Sequence, residues 1–179
     1  MDPVVVLILG VSGSGKSTVG RALARALGGT FLEGDDFHPD ANVARMAAGI
    51  PLSDADREPW LDRLVLELQR RQSEPAPIVL TCSALKKAYR EHLRKAVPGM
   101  RMVYLKGCYE QILRRMEERP DHFMKPEMLR SQFTDLEEPR DAVTVDIGQP
   151  VETMVPALVK RLGSLPPSTE KEELKKWPE

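Results

Sequence analysis

Short apolar runs alternate with longer amphipathic stretches along most of this chain. Five runs have the length and apolar content of buried strands, and they span residues 4–9, 30–33, 78–82, 102–105 and 142–147. Between them, apolar side chains recur every three or four residues, which is the spacing of one helix face. This succession predicts an α/β fold in three layers, with a central parallel five-stranded sheet and helices on both faces.

Local sequence signals mark where several helices begin and end. Residues 16–27 form an amphipathic pattern that stops at a Gly-Gly pair, and glycine is common just beyond a helix. The tetrapeptide SDAD at 53–56 offers a capping box for a second long helix. Ser83 is placed to cap a third helix. Residues 109–118 and 151–162 have further helical patterns.

Length and composition indicate one domain followed by a tail. The 179 residues are 41% hydrophobic, which is enough for a single core. We assign residues 1–164 to this domain. Residues 165–179 are charged and marked by proline, and they contain Trp177, for which the pattern gives no role. We expect them to form a flexible tail.

Charge and cysteine content argue against several classes of partner. The 26 basic and 27 acidic residues give a net charge of -1, so no overall field attracts nucleic acid or an anionic membrane. The first apolar run is too short to span a membrane and has no basic segment before it, unlike a signal peptide. Cys82 and Cys108 belong to no metal-binding pattern, and Cys82 suits a small buried residue better than a nucleophile. We expect a cytoplasmic protein without a membrane or nucleic-acid partner.

The segment GVSGSGKST follows the first predicted strand and opens the first predicted helix. It satisfies the pattern GxxxxGK[ST], a loop whose backbone N–H groups and helix N-terminus surround phosphate groups. Lys16 adds a cation, and the Ser17 hydroxyl is placed to bind Mg²⁺, so the segment predicts a nucleoside triphosphate site. We assign nucleotide binding to Gly10, Val11, Ser12, Gly13, Ser14, Gly15, Lys16, Ser17 and Thr18.

The acceptor of the phosphoryl group must be inferred from the rest of the chain. The sequence has no NKxD motif, which a GTPase uses to recognise guanine, and the strand at 78–82 runs into CSALKK rather than an acidic metal ligand. Larger ATPases need a much longer chain. A small kinase remains, in which a P-loop domain closes over a metabolite and excludes water.

Acidic residues cluster where the second predicted strand ends, at the sheet edge where α/β folds bind ligands. They are Glu33, Asp35 and Asp36. Strand alternation predicts that Glu33 and Asp35 point to the same side. One can order water around Mg²⁺ while the other accepts the proton of an attacking hydroxyl. Capping of the next helix is the alternative role, and it suits Asp36 best.

Several long blocks of sequence together resemble the gluconate kinase (gluconokinase) family. They are GVSGSGKST, GDDFHPDANVARMAAGIPLSDADREPWL, CSALKKAYREHLR, VYLKG and HFMKPEMLRSQFTDLEEP, and the resemblance extends from residue 4 to about residue 162. It implies a nucleoside-monophosphate-kinase-like fold with a substrate flap and a lid. It also implies phosphorylation of D-gluconate to 6-phosphogluconate with ATP and Mg²⁺, by a cytoplasmic homodimer.

The family pattern gives roles to individual residues. It places Lys16 on the phosphates and Ser17 and Glu33 at Mg²⁺, and it makes Asp35 the base on the gluconate hydroxyl. Relatives often carry Asp at the position of Glu33. His38 lies in the HP block and is assigned to the substrate, although a histidine that shapes the loop is the alternative.

Three basic residues are expected to form a pocket for the gluconate carboxylate. Arg57 resembles the arginine with which related kinases hold an acidic substrate, and a solvated arginine at a helix start is the alternative. Lys86 and Arg90 are four residues apart on one face of a predicted helix and are assigned to the same pocket. A charged surface is the alternative for that face.

The stretch at about 115–135 resembles the lid of small kinases. Arg115 and Arg119 are four residues apart in it, and we assign both to the transferred phosphate, which they reach when the lid closes. His122 follows in a proline-marked loop and is assigned to the substrate. Relatives commonly have glycine just before this histidine, whereas Pro120-Asp121 stands here and predicts a stiffer hinge.

Two other functions stay open at this point. One is a P-loop kinase for another small anion, such as shikimate, adenylyl sulfate or a nucleoside monophosphate, although such a kinase lacks the HP and CSALKK blocks together. The other is a nucleotide-binding regulator without an acceptor site, against which Asp35, Lys86 and the lid arginines argue.

Overall fold

A parallel sheet forms the centre of the molecule. The computed structural model describes residues 4–118 and 126–164. Within these ranges the strands are β1 Val5–Leu9, β2 Thr30–Glu33, β3 Ile78–Thr81, β4 Arg101–Lys106 and β5 Val143–Asp146. They are all parallel and lie in the order β2-β3-β1-β4-β5. The predicted five-stranded sheet is confirmed, with strand ends that differ by one residue at most.

Helices connect the strands and cover both faces of the sheet. In the same two ranges they are α1 Lys16–Leu27, α2 Asp40–Ala47, α3 Asp54–Arg70, α4 Lys87–Ala96, α5 Tyr109–Glu117, α6 Pro126–Asp135 and α7 Val151–Ser164. Two 3₁₀ turns, Gly34–Phe37 and Arg71–Ser73, follow β2 and α3. None of the helices in this part of the chain is both long and apolar enough to cross a lipid bilayer.

The side chains of β1 alternate between two hydrophobic clusters, one on each face of the sheet. Val6 and Ile8 belong to the cluster that includes residues of α1, α5 and α7. Val5, Leu7 and Leu9 belong to the cluster that includes residues of α3 and α4. These five side chains are at most 2% exposed. The strand that leads into the P-loop is therefore packed from both sides, which fixes the start of that loop.

Two of the predicted helix ends are confirmed. α1 ends at Gly28, which has a φ of 64° in the left-handed region and a backbone N–H that bonds to the last turn. At the start of α3, the Ser53 hydroxyl accepts from the Asp56 N–H while the Asp56 carboxylate accepts from the Ser53 N–H. These contacts form the capping box expected from SDAD.

The prediction that Ser83 caps the next helix is wrong. α4 begins only at Lys87, whose backbone N–H donates to the Glu137 carboxylate rather than to Ser83. The chain takes a non-helical path first because Ala84 has a φ of 38° and Leu85 is buried in the core. The carbonyls of Ala84 and Leu85 accept hydrogen bonds from Arg90 at 3.0 and 2.8 Å, which holds this connection in place.

Some elements were not predicted separately from the sequence. These elements are the 3₁₀ turn after β2 and α6, whereas α2 lies in the helix-and-loop flap expected between Asp35 and Arg57. Residues 119–125 of the predicted lid and the predicted tail at 165–179, with Trp177, lie outside the described residues. The domain boundary at residue 164 stays a prediction.

Candidate active site

The P-loop connects β1 to α1 through left-handed glycines. Gly13 and Gly15 have φ values of 78° and 94°. Residues with a Cβ rarely adopt this left-handed backbone conformation. An added Cβ at Gly13 would also lie 2.8 Å from Met116 Cγ. Lys16 begins α1, and its Nζ donates to the Val11 carbonyl at 3.0 Å across the loop. The lysine is thus folded over the loop that the sequence assigns to phosphate binding.

Two carboxylates at and just after the end of β2 influence the pKa of Lys16. Burial lowers the pKa of Lys16, and the charges of Asp35 and Glu33 oppose that change. The alternation argument for these two acids does not apply, because the chain leaves β2 at Glu33 and enters a 3₁₀ turn at Gly34. Both carboxylates are nevertheless close enough to Lys16 to raise its pKa electrostatically. Glu33 Oε1 accepts from Thr81 Oγ1 at 2.6 Å, while the Asp35 side chain is 67% exposed.

A cleft beside the P-loop brings together several of the predicted site residues. The predicted residues in its lining are Ser12, Lys16, Asp35, His38 and Arg57, and Ser83 lines it as well. α2 and the loop after it contribute Met46, Pro51 and Leu52, and α6 contributes Met128, Ser131 and Gln132. Three of the expected acceptor groups, Asp35, His38 and Arg57, therefore lie beside the expected phosphate loop, in one cleft.

Backbone contacts fix the turn that carries Asp35. The Trp60 indole N–H donates to the Gly34 carbonyl at 2.7 Å, and Trp60 is only 1% exposed. On the other side, Gly34 packs against β3 so closely that an added Cβ would lie 2.2 Å from the Thr81 carbonyl oxygen. A core tryptophan and a glycine contact thus hold the residue next to Asp35.

His38 is a buried, neutral ring that faces Asp35. It stacks on Trp60 with a centroid distance of 4.1 Å. Asn42 Nδ2 donates to the Asp56 carbonyl and also lies 3.3 Å from His38 Nδ1, which must then be the acceptor. The proton is therefore on Nε2, which lies 4.0 Å from Asp35 Oδ1. Burial first, and the charge of Arg57 second, lower the pKa of His38 to about 4.

This shift predicts a pH-dependent stability. As the pH falls, the unfolded chain, in which the histidine pKa is near 6.5, binds a proton at a higher pH than the folded protein does. The stabilising contribution of this group is therefore complete above pH 6.5 and is lost as the pH drops toward 4. We expect a loss on the order of 2–3 kcal/mol from this group. Urea unfolding of the wild type and His38→Gln at pH 7.5, 6.0 and 5.0 measures it. In the His38→Gln variant, the free energy of unfolding should lose this part of its pH dependence. The His92→Gln variant, changed at an exposed position, should keep it.

Arg57 is largely buried and engaged by two other helices. Its Nη1 donates to Tyr89 Oη at 3.0 Å and to Asp135 Oδ2 at 3.1 Å. Although burial alone would lower the pKa of the guanidinium, the hydrogen bonds and charges of Tyr89 and Asp135 raise it. The side chain is 12% exposed, so it is not a solvated arginine at a helix start. It stays fully charged in the cleft.

Lys86 and Arg90 do not line this cleft. Lys86 Nζ donates to Asp54 Oδ1 at 2.7 Å, and the Tyr89 hydroxyl donates to the same oxygen. Arg90 is 5% exposed, bonds the carbonyls that precede α4, and borders a separate cavity between α4 and residues 137–141. The structure does not join these two residues to Arg57 in one basic pocket, and their substrate contacts stay predictions.

The lid residues are only partly described. Arg115 Nη2 donates to the Ile147 carbonyl, which ties α5 to the loop after β5. Arg119 and His122 lie outside the described residues. The roles assigned to Arg115, Arg119 and His122 stay predictions.

Sequence reasoning missed Gln132 and Asp135 of α6. Gln132 Oε1 accepts from the Ser12 N–H of the P-loop at 2.6 Å, and Asp135 pairs with Arg57. The signal was present, since residues 128, 131, 132 and 135 have the spacing of one helix face. From the sequence we assign the whole stretch to the lid and do not predict this helix as a separate element.

The residues at this site fit a magnesium ion that arrives with a nucleotide. Among residues 4–118 and 126–164, no three His, Cys, Asp or Glu side chains form a metal cluster. Mg²⁺ does not need one, because it keeps several waters and uses one or two protein oxygens with the phosphates. Ser17 is only partly buried at the start of α1, and Glu33 has one carboxylate oxygen engaged with Thr81. Cys82, which follows β3 directly, is buried, and burial raises the pKa of its thiol to about 12.

Comparison with known proteins identifies the family of this chain. Residues 5–140 match the family model described as an AAA domain. The thermoresistant gluconokinase of Escherichia coli K12 is 42% identical over 163 residues, which cover 89% of this chain and 93% of the relative. The chain belongs to the gluconokinase family.

Solved structures agree with this assignment. The gluconokinase from Sinorhizobium meliloti 1021 superposes with a TM-score of 0.82 at 42% identity, covering 90% of this chain and 92% of that one. A sugar kinase from Janibacter sp. HTCC2649 gives a TM-score of 0.85 at 39% identity, covering 90% and 95%. The predicted P-loop kinase fold is therefore confirmed for this gluconokinase-family chain.

Proposed function

We propose that this chain transfers the γ-phosphoryl group of ATP to the 6-hydroxyl of D-gluconate, giving 6-phospho-D-gluconate and ADP. The observation that carries the proposal is the single cleft that joins Lys16 of the P-loop to Asp35 and Arg57. A phosphate loop, a carboxylate base and a cation for an acidic acceptor are the groups that this reaction needs. Membership of the gluconokinase family supports gluconate as the acceptor.

Each residue of the cleft has one task in the proposed reaction. Asp35 accepts the proton of the 6-hydroxyl as its oxygen attacks the γ-phosphorus and the bond to the ADP oxygen breaks. Lys16 leaves the Val11 carbonyl and stabilises the charge on the phosphate oxygens. Arg57 holds the carboxylate at the other end of the acceptor, which orients the 6-hydroxyl toward Asp35. The Nε2–H of His38, which lies 4.0 Å from Asp35 Oδ1, donates to an acceptor hydroxyl.

Mg²⁺ is the proposed cofactor. Ser17 would bind it directly, and Glu33 would hold its water ligands. When bound, it neutralises charge on the β- and γ-phosphates. Arg115, Arg119 and His122 are proposed to act from the lid, but Arg115 must first leave the Ile147 carbonyl to reach a phosphate.

The proposed cellular setting is supported by the family resemblance and by the near-zero net charge of the chain. We propose a homodimer in the cytoplasm, without nucleic-acid or membrane partners. Sedimentation of the purified chain tests the dimer.

An ADP-release assay tests the reaction. We expect ATP-dependent turnover with gluconate and much less with shikimate, adenylyl sulfate, nucleoside monophosphates or neutral hexitols. Turnover with one of the other anions in place of gluconate would reassign the acceptor. Absence of turnover with every acceptor would favour a nucleotide-binding regulator.

Removal of Arg57 should weaken gluconate binding. We expect Arg57→Ala to raise the gluconate KM about tenfold or more, a loss of about 1.4 kcal/mol, because the carboxylate loses its cation. The ATP KM should change little. Arg70→Ala on the same helix is the matched control, since Arg70 is exposed and pairs only with Glu67 among the described residues. A KM that rises equally for a neutral hexitol would argue against a carboxylate contact. Lys86→Ala should have a smaller effect, because Lys86 lies outside the cleft lining.

A further inference from the structure

We propose that Asp135 is a positioning residue, which holds Arg57 from outside the cleft in the orientation that selects an acidic acceptor. This inference rests on the proposed function, in which Arg57 binds the acceptor carboxylate. Asp135 Oδ2 lies 3.1 Å from Arg57 Nη1, and the two side chains are 25% and 12% exposed. Arg57 lines the cleft, whereas Asp135 is not part of its lining.

In the described part of the chain, both hydrogen bonds of the Arg57 guanidinium involve the same nitrogen, Nη1. Tyr89 Oη and Asp135 Oδ2 both accept from Nη1, and within the described ranges these are the hydrogen bonds that Arg57 side-chain atoms make. Nε and Nη2 then form an edge with two parallel N–H groups. A carboxylate binds such an edge through two hydrogen bonds. The contacts from Tyr89 and Asp135 therefore fix the plane of the group and leave this edge for the acceptor.

Asp135 occupies a position that does not favour helix stability. It is the last residue of α6, where the negative end of the helix dipole disfavours a carboxylate. The ion pair with Arg57 offsets that penalty. The same helix contacts the P-loop through Gln132 and Ser12. Through Asp135 and Gln132, α6 thus contacts both Arg57 and the phosphate loop.

A competing role for Asp135 predicts the opposite result. If its carboxylate occupied the place of the acceptor carboxylate, its removal would free Arg57 and strengthen gluconate binding. The cleft geometry argues against this role, because Tyr89 and Asp135 contact Arg57 from positions outside the lining. We therefore expect weaker binding without Asp135.

Steady-state kinetics of two Asp135 variants test the inference. We expect Asp135→Ala to raise the gluconate KM about tenfold, and Asp135→Asn to raise it less, because the amide oxygen still accepts from Nη1. The ATP KM and the kcat/KM for a neutral hexitol should stay within about twofold of wild type. Thr134→Ala is the control, since Thr134 is exposed and its hydroxyl bonds only within α6. Thermal unfolding of each variant shows whether it is folded.

The outcomes separate this inference from the proposed function. A wild-type chain that phosphorylates no sugar acid overturns both. An active wild type whose Asp135→Ala variant keeps the gluconate KM, or lowers it, overturns the positioning role alone. Equal losses for gluconate, hexitol and ATP would show a general structural role and would also overturn it. An additional gluconate-specific loss in Arg57→Ala/Asp135→Ala beyond that of Arg57→Ala would show that Asp135 acts independently of Arg57, which contradicts the inference.

Discussion

The variant Asp35→Asn should lose between about 10²- and 10⁴-fold in kcat, the range that a general base contributes. Asparagine has the same shape but cannot take the hydroxyl proton at neutral pH. The turn that carries it is fixed by Trp60 and by the contact of Gly34 with β3, so the fold should be retained. The ATP KM should change only modestly, because the P-loop is untouched. Kinetics with gluconate, together with ATP binding by calorimetry, measure both effects.

The neighbouring acid provides the control for this prediction. Asp36 is exposed in the same 3₁₀ turn and does not line the cleft. Asp36→Asn should therefore keep nearly full turnover. If Asp35→Asn turned over gluconate at the wild-type rate, the base would have to be another group. Similar losses in both variants would point to the charge of the turn rather than to proton transfer.

The sheet and the phosphate loop could be predicted because their signals are local. A strand buried on both faces, such as β1, is apolar throughout, and the P-loop that follows has a fixed spacing of glycines and lysine. Gly28 and the Ser53 capping box mark helix ends by contacts that span only a few residues. In each case, residues near in sequence are also the ones that touch.

The acceptor side was harder to predict because its contacts are long-range. Arg57 meets Asp135, which is 78 positions away, and Ser12 meets Gln132, which is 120 positions away. The family resemblance placed Arg57 in the site, while helix spacing grouped Lys86 and Arg90 with it. The structure places neither side chain in the cleft lining, because Lys86 pairs with Asp54 and Arg90 turns back to the carbonyls that precede α4.

Position 34 should tolerate no side chain. In Gly34→Ala, the new Cβ would lie 2.2 Å from the Thr81 carbonyl oxygen and 3.3 Å from Cys82 Cα, both backbone atoms of a buried strand and its continuation. Relief requires β2 and β3 to separate, or the turn to move away from the Trp60 indole. We expect a loss of about 3 kcal/mol or more in the free energy of unfolding, as for a severely overpacked core. We also expect kcat to fall at least about tenfold, because small displacements of a reacting group are costly.

Chemical denaturation and gluconate kinetics on the same preparations test this prediction. Gly163→Ala is the matched control, since a Cβ at that helical position meets nothing within 4 Å. It should leave activity unchanged and stabilise the chain by about 0.5 kcal/mol, because alanine favours helix more than glycine does. If Gly34→Ala had wild-type stability, β2 and β3 would be able to move apart at little cost in free energy. Lost stability with wild-type kcat would mean that Asp35 keeps its place without the Gly34 contact, so Trp60 alone would have to position the base.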